Sequence, residues 1–275
     1  MLISLATMNF RLCHLLREKL IKSGFSIEQI IPGEPPSKGS ILVVTTEEEH
    51  KTLQTDYKKL IVLTNSEILD ISRAFPKIML GIEGKRIWEC LIIGVDPGQT
   101  IGVAVITDSC LRSTLETRDI GEAIEYILEV IEKNPTKMAI IRVGSTGGYR
   151  RILILNELLN VKPDDVTLEV VDEVQTTPAT FQDVKEAIEG GTRDGISLQA
   201  GKDASAAMEI AFRIGESVKS PETWTVSDGE LKEIQILSRQ YSRGKVTISR
   251  ELAKKVAAGL LKLEEAIEQQ KSTIN

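Results

Sequence analysis

Histidine and cysteine are scarce in this chain. It has two histidines and three cysteines in 275 residues. His14 and His50 fall in stretches with helical spacing, where surface or packing roles are expected rather than catalysis. Cys13, Cys90 and Cys110 are odd in number, widely spaced and without a Cys-x-x-Cys pair. That pattern indicates neither a zinc site nor a disulfide framework. It agrees with a reducing cytoplasm as the expected location. Long apolar runs are lacking too. None approaches the roughly 20 residues of a membrane span, so no membrane association is expected. The opening MLISLATMNF has no charged start, long apolar core or small-residue cleavage site. It reads as a first strand rather than a signal peptide. No glycine-rich phosphate loop is found in residues 1–90. After ILVVTT come Glu47, Glu48 and Glu49, which repel phosphate.

A general excess of positive charge is also absent. The net charge is -6, and it is unevenly spread. Residues 1–90 carry 12 basic and 11 acidic groups, residues 91–220 carry 13 and 21, and residues 221–275 carry 9 and 8. A protein that grips nucleic acid by bulk charge is basic. This one can do so only through a local basic patch, or with cations bridging its acids. The composition therefore counts against indiscriminate nucleic-acid binding and leaves metal-dependent chemistry open.

What is present is a regular alternation of elements. In residues 1–90, LISLA, ILVVT, LIVLT and KIMLGI read as short apolar strands. FRLCHLLREKLIKSG, EEEHKTLQTDYKKL and SEILDISRAF read as helices between them. This predicts a small, doubly wound parallel α/β domain. From residue 91 the order changes. Strands at 91–96 and 101–106 flank a tight turn, and a third spans 111–117. Then come helix IGEAIEYILEVIEKN, strand 137–143, a helix near 149–159, strand 167–173, a helix near 179–189 and the helix DASAAMEIAFRIGESV. The order βββαβαβ, then helices, is that of a ribonuclease H-like domain over 91–220, a mixed sheet flanked by helices. The tail, 221–275, predicts three helices broken at Arg243-Gly244 and at Gly259, with Ser249 as a cap. Its last helix carries Glu264, Glu265 and Glu268, which suit a DNA-reading helix poorly. A helical cap or dimerisation element is expected instead, and a homodimer is one consequence.

Three carboxylates stand at element ends. Asp96 closes the first strand of the hairpin, Glu173 closes LEVVDE, and Asp203 opens the last helix of the central domain. With the first strand central, the fourth beside it and the last helix across one end, the three acids converge. Crowded carboxylates call for a cation, and hard oxygen donors suit Mg²⁺ or Mn²⁺. Two such ions can activate water and stabilise a leaving phosphodiester oxygen. Each acid also has a structural reading. Asp96-Pro97-Gly98 is a good turn, Asp203 is a good helix cap, and Glu173 can be a solvated strand end.

Three motifs carry a family resemblance. IIGVDPGQTIGVAVITD resembles the first motif of RuvC-type junction resolvases and of the related YqgF-type RNA-processing nucleases. VVDEVQTTPAT is similar to the YqgF pattern of an Asp-Glu pair followed by Thr-Thr, and GKDASAAMEIAF to the last motif. IIRVGSTGGYRRILILNELL is similar to the region between. The resemblance covers about 91–217. It implies a ribonuclease H-like fold, with Asp96, Glu173 and Asp203 as the catalytic, metal-binding acids of a two-metal site. The sequence departs from the family in three places. Arg142 lies on the strand where resolvases carry a glutamate, Ala206 stands where they carry a second aspartate, and Val174 where the YqgF pattern has arginine.

The expected function is a Mg²⁺- or Mn²⁺-dependent nuclease acting on structured nucleic acid, a DNA junction or a precursor RNA. Thr176 and Thr177 either bind phosphate or cap the next helix. Arg150 and Arg151 either clamp phosphate or are solvated surface charges. Arg193 and Lys202 lie in or beside a glycine-rich loop that suits substrate closure. Thr100, in the first turn, completes the set expected to contact nucleic acid. The alternative is a catalytically degenerate binding or regulatory protein that keeps the fold. An actin-like ATPase using DPGQT as a phosphate turn is a third reading, but it needs a second phosphate motif that the sequence lacks.

Overall fold

Residues 1–51, 57, 59–172, 201–220 and 226–274 are described by the computed structural model. The first sheet contains β1 (Leu2–Ala6), β2 (Ser26–Ile30), β3 (Ser40–Thr46) and β4 (Leu60–Leu63). All its pairings are parallel, in the order β2-β1-β3-β4. Helix α1 (Phe10–Lys22) starts at Asn9, whose Oδ1 accepts the Leu12 N–H at 3.0 Å. Its Leu12, Leu16 and Leu20 recur every four residues and are buried. Helices α2 (Glu47–His50), α3 (Asn65–Leu69) and α4 (Ile71–Glu83) follow. Helices α1 and α4 share one core with Ile3, Leu5, Leu42 and Val44. On the opposite face, Ala6 and Val43 pack against Tyr57. The parallel sheet is as expected, but both long described helices lie on one face of it.

Three local expectations fail here. KIMLGI is not a strand but the C-terminal half of α4, which buries Ala74, Ile78, Met79 and Leu80. A short apolar run cannot by itself separate a buried strand from a buried helix face. The fourth strand is instead SIEQI, an edge strand with no fully buried residue, whose polar composition hid it. SEILDISRAF forms two helices because Asp70 ends α3 and caps α4, accepting the Ser72 N–H at 3.0 Å. Within EEEHKTLQTDYKKL only α2 is helical among the described residues.

The central sheet contains β5 (Trp88–Asp96), β6 (Ile101–Thr107), β7 (Cys110–Thr117), β8 (Thr136–Gly144), β9 (Val166–Val171) and β10 (Glu216–Ser217). Its order is β10-β9-β8-β5-β6-β7. Strand β5 is central, antiparallel to β6 and parallel to β8, and β8 is parallel to β9. Helices α5 (Ile120–Lys133) and α6 (Gly148–Val161) cover one face, packing Ile127, Leu155 and Leu158 on Ile93, Val103 and Ile141. Helix α7 (Lys202–Phe212) covers the other, packing Ala207, Met208 and Ala211 on Ala104 and Ile106. It stops earlier than the sequence spacing suggested, because Glu216 and Ser217 pair with Val170 and Glu169 as a sixth strand. Trp88 joins the two sheets. Its backbone pairs with Thr136 in the second, while its ring sits in the core of the first. The boundary expected at residue 91 thus falls inside a strand. The helix expected near 179–189 lies outside the described residues.

The tail forms α8 (Asp228–Tyr241), α9 (Arg250–Ala257) and α10 (Leu263–Ile274), as predicted. Arg243, Gly244 and Gly259 adopt positive φ at the two breaks. Ser249 caps α9 by accepting the Leu252 N–H at 3.2 Å. Leu231, Ile234, Val246, Ile248, Val256 and Ala266 form the core of this bundle, and Ile152 of α6 completes it. Helix α6 is therefore buried between the sheet and the tail.

Candidate active site

Asp96 is the last residue of β5. Side chains alternate along a strand, so Asp96 shares its face with Ile92 and Gly94, the face that α7 covers. Its register partner across the hairpin is Gly102. Neither Gly94 nor Gly102 could carry a side chain. A Cβ on Gly94 would stand 2.0 Å from the Ala207 carbonyl oxygen, and one on Gly102 would stand 2.1 Å from the Asp203 carbonyl oxygen. The two glycines let the backbone of α7 lie directly on the sheet. The first turn of α7, with Asp203, is thereby set against the strand residue opposite Asp96. Two of the three expected acids are on neighbouring backbone. Glu173 lies outside the described residues.

A further carboxylate, missed in the sequence, joins them. Glu116 of β7 is the other register partner of Gly102. Its Oε1 accepts the Ala204 N–H at 2.9 Å. It caps α7 from another element, which matters because the cap residue Gly201 has no side chain to do so. Asp96, Gly102 and Glu116 thus form a row across three strands at the N-terminal end of α7. A carboxylate at a helix N-terminus is favoured by the helix dipole as well as by the hydrogen bond. The donor set is all oxygen, the chemistry that suits Mg²⁺ or Mn²⁺. Among the described residues no group of three or more His, Cys, Asp and Glu is arranged to hold a metal ion.

The turn after Asp96 is packed from a second side. A Cβ on Gly147 would stand 2.5 Å from the Pro97 carbonyl oxygen, so the loop after β8 rests on the Pro97-Gly98 turn. Immediately beyond, Glu233 of α8 reaches the N-terminus of α6. Its Oε2 accepts the Tyr149 N–H at 2.8 Å. Both helix N-termini beside Asp96 are thus capped by carboxylates from distant elements. A carboxylate at each helix start disfavours a phosphate there by charge, which argues against the ATPase reading.

The residues expected to contact nucleic acid separate into different roles. Thr100 is half-buried within the turn, and Lys202 is exposed at the first residue of α7. Arg150 donates from Nη2 to the Arg118 carbonyl at 2.6 Å. Together with Arg118 and Gln99 it lines a cleft of about 870 Å³ between α6 and the tail. Arg151 is a correction. It is 4% exposed and holds Glu230 through Nε at 2.9 Å and Nη2 at 3.1 Å. The i+1 step along α6 turns it into the bundle interface, away from any surface a phosphate could reach. Thr176, Thr177 and Arg193 lie outside the described residues. Arg142, the departure on β8, faces the far end of α7. It donates to the Ala211 carbonyl at 2.6 Å and to Glu169 at 2.8 Å. A cation there neutralises the helix C-terminus. In the tail cleft, Tyr149 is raised to about 12, first by burial and then by Glu264 and Tyr241.

Residues 227–272 match a family model described as a three helical bundle domain. That span covers the tail and not the sheet that carries Asp96. No curated protein matches the chain. No described helix is long and apolar enough to cross a membrane.

Proposed function

We propose that the protein is a metal-dependent nuclease of the ribonuclease H-like group, related to the RuvC and YqgF enzymes, acting on structured nucleic acid. One observation carries the reading. The order β9-β8-β5-β6-β7, with β5 to β7 antiparallel and β5, β8 and β9 parallel, brings Asp96 and the first turn of α7 together at the end of the central strand. Asp96 and Asp203 would hold Mg²⁺ or Mn²⁺, with Glu173 as the third acid expected from the motif. Such an ion, when bound, supplies an activated water and stabilises a leaving phosphate oxygen. The chain's own contribution is to hold its carboxylates on rigid backbone, which the glycine contacts of α7 favour.

The second reading is a binding protein without catalysis. The engagement of Arg142 in a helix clamp and the presence of Ala206 favour it. One assay separates the two. Wild type and Asp96→Asn are incubated with Mg²⁺ or Mn²⁺ and with four-way DNA junctions, flaps, duplexes and structured RNA. Cleavage by wild type, lost in Asp96→Asn, is the expected result. A folded wild type that cleaves none of these substrates would sink the nuclease and leave the binding protein.

A further inference from the structure

The chain is acidic overall, yet one part of it is strongly basic. Residues 239–262 carry seven basic side chains against one acid, Glu251. Arg239, Arg243, Lys245, Lys254, Lys255 and Lys262 are all exposed, and among the described residues none of them forms an ion pair. The seventh, Arg250, is paired with Asp228. Arg239, Arg243 and Lys245 lie at the α8–α9 corner, Lys254 and Lys255 follow in the last turn of α9 and Lys262 just before α10, while the bundle buries other sides of these helices, Leu231 and Ile234 on α8 and Ala253, Val256 and Ala257 on α9. Arg239, Lys254 and Lys255 lie in the last turns of α8 and α9, where a cation suits the helix dipole, but Arg243, Lys245 and Lys262 lie outside the helices. Together the six raise the local potential and attract a polyanion.

The basic corner adjoins the cleft of about 870 Å³ between α6 and the tail. Tyr241, 66% exposed, lines it two residues before Arg243. Inside, Tyr149 offers a second aromatic surface, and Asn156, Asn160 and Gln99 offer amide groups. Arg118, Arg150 and Lys262 supply positive charge along the walls. Glu157, Glu233 and Glu264 line the same cleft, so its walls balance in charge and the electrostatic grip falls on the basic side chains outside it. Gln99, in the turn that Asp96 begins, also lines the cleft. Cations that follow a backbone, aromatic rings that stack bases and amides that meet base edges are the parts of a single-strand groove. A membrane surface would meet the cations but would have no use for an amide-lined cleft.

We infer that the tail bundle and α6 form the groove that holds an unpaired strand of the nucleic-acid substrate and leads it from the basic α8–α9 corner past Tyr241 to the Asp96 turn. The inference rests on the nuclease reading for its direction, and it assigns substrate grip to the tail rather than to the acidic central domain. Its chemistry is backbone charge plus stacking, so the strand is recognised by being unpaired and not by its sequence.

The test uses the full chain and fluorescence anisotropy in EDTA, where binding is read without cleavage. The probes are a labelled 20-nucleotide single strand of DNA or RNA, a flapped duplex and a blunt duplex. Wild type should bind the single strand and the flap more tightly than the blunt duplex. The quadruple variant Arg243→Ala, Lys245→Ala, Lys254→Ala, Lys255→Ala should lose about 10–100-fold. Its dependence of log K on log salt should flatten by about 2–3, from roughly 0.7 per lost phosphate contact on a single strand. Tyr241→Ala should lose about 5–100-fold with the salt slope unchanged, the signature of lost stacking. Asp96→Asn should bind at least as well as wild type. Wild-type affinity in the quadruple variant, a preference for the blunt duplex, or binding only to phosphatidylserine vesicles would each overturn the groove. Cleavage is scored separately with Mg²⁺ or Mn²⁺. Cleavage with tail-independent binding removes the groove alone, and tail-dependent binding without cleavage supports the groove and removes the nuclease.

Discussion

The two faces of the central sheet hold their helices by opposite means. On one face α5 and α6 sit on large side chains, with Ile93, Val103 and Ile141 meeting Ile127, Leu155 and Leu158. On the other, α7 sits on backbone, with Gly94 and Gly102 meeting the carbonyls of Ala207 and Asp203. The first arrangement buries apolar area and is a source of stability. The second also buries Ala207, Met208 and Ala211 on Ala104 and Ile106, but at the two glycines it brings main chain to main chain. The face that carries the acids is the one where two strand positions, Gly94 and Gly102, carry no side chain. Position matters there more than area, because carboxylates on α7 keep their distance from β5 only if nothing elastic lies between.

The largest expected effect tests the α6 side, where one polar contact interrupts the apolar packing. Arg151→Ala leaves Glu230 buried without its partner and should destabilise the protein by about 3–5 kcal/mol, read from urea unfolding. Arg151→Met combined with Glu230→Gln should cost less than Arg151→Ala alone, since no unpaired charge remains. If the double variant is the worse of the two, the pair contributes more than mutual neutralisation.

A smaller effect compares the faces directly at adjacent residues. Gly102→Val forces α7 off the sheet and should cost about 3 kcal/mol, at the upper end of overpacking. Val103→Ala, one step along the same strand, removes a fully buried side chain from the α6 face and should cost roughly 2 kcal/mol. The first change should also abolish metal-dependent cleavage, while the second should leave it measurable at low temperature. Equal activity in the two variants would mean that α7 does not set the acid geometry.

The smallest effect is a dependence on pH at the α6–tail interface. The folded state raises Tyr149 above its ordinary value of 10.0, to about 12, chiefly by burial. A group raised on folding stabilises below its unfolded value and loses that contribution as pH climbs through the folded one. Stability should therefore decline between about pH 10 and 12, and Tyr149→Phe should flatten the decline. An unchanged profile in Tyr149→Phe would place the alkaline transition elsewhere.

Much of the frame is legible in the residues alone. The tail helices, their two breaks and the Ser249 cap follow from spacing and local turn chemistry. The hairpin around Asp96 follows from an apolar run, a Pro-Gly turn and a second apolar run. Local rules also misled where burial decided the outcome. KIMLGI became a helix because its 3–4 spacing meets a core on one side only, and SIEQI became a strand because a sheet edge demands little apolar surface.

Glu116 shows where the limit lies. The Asp108-Ser109 turn has positive φ at both residues and pairs Thr107 with Cys110. Counted from that turn without interruption, Gly102 would face Leu115. An irregularity between Val105 and Ile106 moves the register by one, so Gly102 faces Glu116 instead. A one-residue shift exchanges the two faces of a strand, and it alone turns Glu116 toward α7. By itself the sequence determined the hairpin, the strands that follow it and the tail helices, because those choices depend on period, turn residues and caps within a few positions. Only the tertiary structure decided which carboxylates share a face, why Gly94 and Gly102 are glycines and why Arg151 is buried, because those outcomes depend on register and on the approach of elements distant in the chain.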